Sequence, residues 1–128
     1  MPSQRIGAQT VALSNPPSVL SYACVGGKFE GQGPLRDCFD ILNEDSFFGE
    51  ETWEKAESAM QKQALGKALE KAGLSACQLE YILAGDLLNQ CIGSAFGLRE
   101  AGIPFLGLYG ACSTMGEGLS LAAMLLAG

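Results

Sequence analysis

Residues 81–114 read YILAGDLLNQ CIGSAFGLRE AGIPFLGLYG ACST, and this stretch decides the fold. Tyr81 to Ala84 is a short apolar run closed by Gly85 and Asp86, as expected of a buried strand. Asn89 to Ala101 sets Ile92, Ala95, Phe96 and Arg99 at helical spacing, and Gly102 ends it. Ile103 to Tyr109 is a second apolar run, whose Pro104 is tolerable near a strand start or on an edge strand. Gly110-Ala111-Cys112 reads as a tight turn and Ser113 to Ala127 as a final helix. Strands alternating with helices imply parallel pairing through right-handed crossovers, hence a layered α/β domain with a mostly parallel sheet.

Upstream, Thr52 to Ala72 is the clearest helix. Trp53, Ala56, Met60, Ala64, Ala68 and Ala72 recur on one face. Glu50, Glu51 and Glu54 suit its positive end, Lys67 and Lys71 its negative end, and Gly73 a left-handed stop. Ser75 and Gln78 have capping-box spacing. The first third is less regular. Gln9 to Ser14 and Val19 to Cys24 read as short strands separated by Asn15-Pro16-Pro17. Gly26-Gly27, Gly31, Gly33 and Pro34 mark a long loop, Leu35 to Asn43 a helical turn, and Glu44 to Gly49 another loop.

Composition bounds the function. The chain has 128 residues, 48% hydrophobic and 17% charged, which suits one domain with a real core and not a disordered tail. A net charge of −6, with only eight Lys and Arg, excludes the basic footprint that nucleic acid requires. It also argues against direct docking on anionic lipid. Met1 to Leu13 lacks the apolar core of a signal peptide, and Leu119 to Ala127 is too short to span a bilayer. A soluble, intracellular protein is expected. Five widely spaced cysteines and no histidine point away from zinc and disulfides; no metal and no cofactor are expected. The last helix is apolar all round, with Leu119, Leu121, Met124, Leu125 and Leu126 among its residues, so it needs cover on every side. The expectation is a single partial domain over residues 1–128, whose missing half would supply that cover.

Two stretches carry candidate chemistry. At Tyr109 to Thr114 a strand meets a helix. A thiol at Cys112 would face unpaired backbone N–H groups and the positive end of the helix dipole, both of which favour a thiolate. The same donors could hold an oxyanion or a carboxylate. Equally, Cys112 could be a small residue in a tight turn. The second stretch, Ala84 to Gln90, follows a strand, where α/β sheets place ligand loops. It offers Asp86, Asn89 and Gln90, and the competing reading is that Asp86 or Asn89 caps the next helix.

Leu79 to Gln90, the run Arg99-Glu100-Ala101-Gly102-Ile103-Pro104, and Gly110-Ala111-Cys112 resemble, in order and spacing, three motifs of the thiolase superfamily. A closer resemblance, within that fold, is to the stage V sporulation protein AD family. That likeness is carried by Ala84 to Gln90, Ile103 to Leu106, Gly110 to Thr114, Gly33-Pro34-Leu35, Phe39-Asp40 and Thr52-Trp53-Glu54 with Ala56-Glu57. The resemblance implies the N-terminal half of a thiolase-like layered fold, with Cys112 at the nucleophile position. It implies non-catalytic binding of dipicolinic acid, with or without calcium, in a pocket derived from a thiolase active site. Cys112, Ser113, Thr114, Asp86, Asn89 and Gln90 would line that pocket. It further implies membrane subunits of a spore transport assembly as partners, a peripheral position at the forespore inner membrane through them, and a homodimer paired along the Ile103 to Tyr109 edge. The alternative is a thiolase or ketoacyl-synthase-like enzyme that uses Cys112 as nucleophile. Such enzymes pair the cysteine with histidines that the resemblance places in the C-terminal half; residues 1–128 contain none and would not carry a Cys–His mechanism alone.

Overall fold

The computed structural model describes residues 3–127; Met1, Pro2 and Gly128, at the ends of the expected 1–128 unit, lie outside the described residues. In chain order the elements are β1 (Gln4–Ile6), β2 (Thr10–Ala12), β3 (Val25–Gly26), β4 (Ile41–Leu42), α1 (Trp53–Ala72), β5 (Ile82–Gly85), α2 (Ile92–Leu98), β6 (Phe105–Leu108) and α3 (Thr114–Ala127). Single 3-10 turns at Glu30–Gln32, Arg36–Cys38, Ala76–Gln78, Arg99–Ala101 and Ala111–Ser113 fill the connections.

The expected α/β character is present, as a mixture of helices and small sheets. Among the described residues the strands form three separate pairs: β1–β2 is antiparallel, β3–β4 and β5–β6 are parallel. The decisive pair is β5–β6, with Ile82 opposite Phe105 and Gly85 opposite Leu108, joined through α2. Helix α1 forms where its caps place it. Thr52 Oγ1 accepts from the Lys55 N–H at 3.3 Å. Gly73, at φ 66°, closes the helix while the Leu74 N–H reaches back to the Leu69 carbonyl. The α1 stripe is covered unevenly. Ala56 is buried, the alanines beyond it are half-buried, and Trp53 stays exposed and stacks on Phe47, ring centroids 4.2 Å apart.

Helix α2 lies against α1 at backbone range. A Cβ on Gly97 would sit 2.7 Å from the Ser58 carbonyl oxygen, and the Ser58 hydroxyl donates to the Gly93 carbonyl at 2.8 Å. Small residues let the two helices touch. The first third is tied to this pair at Asp40, whose carboxylate accepts from the Lys71 ammonium and the Cys24 N–H. The Lys71 ammonium also lies over the Tyr22 ring, 4.5 Å from its centroid.

Several boundaries differ from expectation. Val19 to Cys24 forms no strand; ladder pairing begins at Val25, and just before it the Cys24 carbonyl accepts from the Asp40 and Ile41 N–H groups while its own N–H turns to the Asp40 carboxylate. Gln9 to Ser14 shrinks to Thr10–Ala12, held by the unforeseen β1. Leu35 to Asn43 yields a 3-10 turn and then β4. The helix read over Asn89 to Ala101 starts at Ile92, since Asn89, Gln90 and Cys91 all have positive φ.

Helix α3 has no buried residue, and Met115, Leu119, Met124, Leu125 and Leu126 are exposed. The chain exposes 8906 Å² in total. A compact monomer of 13.4 kDa would expose roughly 6,500 Å². The difference is comparable to the surface that obligate interfaces hide. Residues 1–128 alone are therefore expected to bind the apolar dye ANS and to unfold over a broad temperature range. A sharp, dye-free, two-state transition from a monomer contradicts this.

Candidate functional site at the carboxyl ends of β5 and β6

The carboxyl ends of parallel strands are where open α/β sheets gather ligands. Here the ends of β5 and β6 meet the start of α3 with little room to spare. A Cβ on Gly85 would run into the Leu108 carbonyl oxygen and lie 2.8 Å from the Thr114 methyl, so only glycine fits. Beyond Leu108 the chain turns through Gly110, at φ −123° and ψ 18°, and Ala111, at φ 50°. A left-handed alanine costs roughly 1–2 kcal/mol, so the turn is held in place by its surroundings. The Gly110 N–H donates to Thr114 Oγ1 at 3.1 Å, and the Ser113 hydroxyl donates to the Gly110 carbonyl at 2.5 Å.

The N–H groups of Ala111 and Cys112 find no partner among the described residues. Successive residues of opposite hand aim such groups the same way, which forms a concave seat for an anion. The turn opens on a cavity of about 560 Å³ between the strands and α3. Leu83, Gly85, Leu108, Ala111, Cys112 and Thr114 line one side; Met115, Gly118, Leu119 and Ala122 line the other. Cys112 is exposed at its edge.

The six residues singled out from sequence divide. Cys112 and Thr114 line the cavity, and Ser113 braces the turn beside it. Asp86, Asn89 and Gln90 do not line it. The Asp86 carboxylate is buried and fully engaged. Its Oδ1 accepts from the Leu88 and Cys91 N–H groups, at 3.1 and 3.2 Å. Its Oδ2 accepts from the Ser94 N–H and hydroxyl, at 2.8 and 2.6 Å. Asp86 thus takes up N–H groups at the start of α2 from five residues before the N-cap position, which Cys91 holds without a side-chain cap hydrogen bond. The Asn89 amide donates to Glu54 on α1 at 3.1 Å, and Gln90 is exposed. Among the described residues no three acidic, cysteine or histidine side chains converge as metal ligands.

Two further residues, neither of them singled out as a site candidate, lie close by. Cys91, half-buried, donates its thiol to the Leu108 carbonyl at 3.1 Å. Glu57 of α1 closes over Gly93 beside Asp86. Burial, and then the Asp86 charge, raise the Glu57 carboxyl above its ordinary value of 4.5. The folded state therefore holds this proton more tightly than the unfolded chain does. Ionising Glu57 costs stability, beginning as pH rises past 4.5 and complete above the raised value. Glu57→Gln should raise the thermal midpoint at pH 7, bring little gain below pH 4, and flatten the profile between. An equal gain at both pH values would show that charge is not the cause.

The comparisons with known proteins agree with one another. The family described as "Stage V sporulation protein AD (SpoVAD)" matches residues 7–128. Stage V sporulation protein AD of Bacillus subtilis (strain 168) is 36% identical over 122 residues, which make up 95% of this chain and 36% of that protein. The chain thus spans about a third of the length of this curated relative. With a match that runs through β5, β6 and the Cys112 turn, the chain belongs to the stage V sporulation protein AD family.

Proposed function

We propose that this chain contributes a binding cavity for dipicolinate in a sporulation protein and carries out no chemistry on it. The observation that supports this is the turn at Gly110-Ala111, whose free N–H groups border the 560 Å³ cavity. Dipicolinate is a flat ring bearing two carboxylates. The apolar walls, Leu83, Leu108 and Leu119, suit the ring, while the turn amides and the Thr114 hydroxyl suit one carboxylate. With the Asp86 oxygens engaged internally, calcium, where it takes part, would be held by the ligand and by groups outside this cavity. The cavity would then belong to the N-terminal half of a thiolase-like layered fold. No described helix is long and apolar enough to cross a membrane, so contact with the spore membrane would run through membrane subunits of the transport assembly.

The exposure of Cys112 at the cavity favours the acyl-transfer reading as the second candidate. That chemistry needs a base to take and return a proton; these 128 residues contain no histidine, so a histidine base would have to come from outside them. Titration of the full-length protein with dipicolinate, beside an acyl-coenzyme A turnover assay, separates the two. Ala122→Phe fills the cavity without touching the turn, and should weaken dipicolinate binding by about tenfold or more. Unchanged affinity in that variant, or no binding by the parent, overturns the proposal. Turnover that vanishes in Cys112→Ala would establish the enzyme instead.

We also propose a homodimer paired along β6, which is bonded to β5 on one edge only among the described residues. An open, uncharged edge such as Phe-Leu-Gly-Leu invites pairing with its twin. Leu106 is 41% exposed and Leu108 is buried, so Leu106 is the residue that can face a partner. Leu106→Lys should convert the full-length dimer to monomer by light scattering. A protein already monomeric at micromolar concentration, or a variant still dimeric, assigns the interface elsewhere.

A further inference from the structure

We propose that Asp86 and Cys91 are positioning residues for the Cys112 cavity, acting together through the carbonyl group of Leu108. The inference rests on reading that cavity as the binding site; it assigns to Asp86 a role outside the cavity wall and to Cys91 a role where none was foreseen.

Asn89, Gln90 and Cys91 are three consecutive non-glycine residues with positive φ, at 45°, 54° and 71°. Each pays a steric penalty between its Cβ and its own backbone, and a run of three does not persist unless something fixes both its ends. Asp86 does so. One carboxylate oxygen takes the N–H groups of Leu88 and Cys91, which bracket the turn, and the other anchors to Ser94 inside α2. Ser94 is fully buried, and its hydroxyl also accepts from the Gln61 amide of α1 at 3.1 Å. The anchor is therefore held from two helices.

The consequence of that left-handed turn is the direction of one side chain. The Cys91 thiol points across the sheet and donates to the Leu108 carbonyl at 3.1 Å. Leu108 is the last residue of β6 and forms part of the cavity wall. Its carbonyl also lies against Gly85, and its methyl would be 3.3 Å from a Cβ on Gly118 of α3. Two residues further on, Gly110 begins the turn that carries Cys112. A shift of the Leu108 carbonyl is thus a shift of the cavity wall and of the amides beside it. The thiol is a weak donor in an unusual place, and nothing else in the described structure donates from a side chain to this carbonyl.

The test reads the geometry of the turn independently of any ligand. In the full-length protein, the rate of iodoacetamide labelling at Cys112 is followed by peptide mass spectrometry, beside dipicolinate titration. Cys91→Ala should change the Cys112 rate by about threefold to tenfold, the worth of one hydrogen bond, while lowering the thermal midpoint by about 5 °C or less. Cys91→Ser keeps a donor and should restore the rate. Asp86→Asn should move the rate in the same direction with a larger loss of stability, and should add nothing once Cys91 is alanine. An unchanged rate in Cys91→Ala overturns the relay, as does a rate in Cys91→Ser equal to that in Cys91→Ala. Additive effects of the two substitutions overturn the claim that both act through Leu108. If the labelling results hold but the parent protein binds no dipicolinate, the functional reading falls and the relay stands.

Discussion

The buried carboxylate of Asp86 is the constraint on which the site-bearing half of the molecule depends. Four donors converge on it, two from the loop after β5 and two from Ser94 in α2. A carboxylate taken out of water is tolerable only when its lone pairs are satisfied in this way. Once they are, the loop has little freedom left. The end of β5, the start of α2 and the left-handed turn between them become one unit. Through Gln61 and Ser58 that unit is fastened to α1, and through Cys91 it touches the end of β6. The same carboxylate leaves a neighbour in difficulty: Glu57 shares its surroundings, and burial and the Asp86 charge push its pKa up. Stability of the loop and discomfort of Glu57 have one origin.

What the sequence made legible follows from how local the signals are. The caps of α1 could be read because Thr52 and Gly73 act within four residues of themselves, and the structure uses both. The β5–α2–β6 order could be read because short apolar runs and a helical spacing alternate there. The start of α2 could not. Asn89, Gln90 and Cys91 have no local reason to turn left-handed; the reason is Asp86 accepting from a residue five positions on. Val19 to Cys24 has the composition of a strand, and composition alone does not supply a pairing partner. At the site, Cys112 and Thr114 could be found because a strand-to-helix turn is a local feature. The role of Cys91 could not, since it requires knowing that Leu108, seventeen residues away, presents its carbonyl there.

The cavity itself combines two kinds of restraint. On the strand side its wall is stiff: Gly85 and Leu108 are in contact at backbone range, and the left-handed Ala111 is braced by the Ser113 and Thr114 hydroxyls. On the α3 side it is loosely held. Gly116 and Gly118 lie in the first two turns of α3, and glycine weakens a helix interior by roughly 1 kcal/mol relative to alanine. No residue of that helix is buried. A site with one rigid wall and one loosely held wall changes shape mainly through the second. Whatever covers the outer face of α3 therefore also sets the width of the cavity. Met115, Leu119 and Leu126 recur with Ala122 at helical spacing on the side of α3 that lines the cavity, Met124 stands on the opposite side, and all of these but Ala122 are exposed. Cover on the outer face and occupancy of the cavity thus act on two sides of the same loosely held helix, and each would favour the other by reducing the freedom the other must remove.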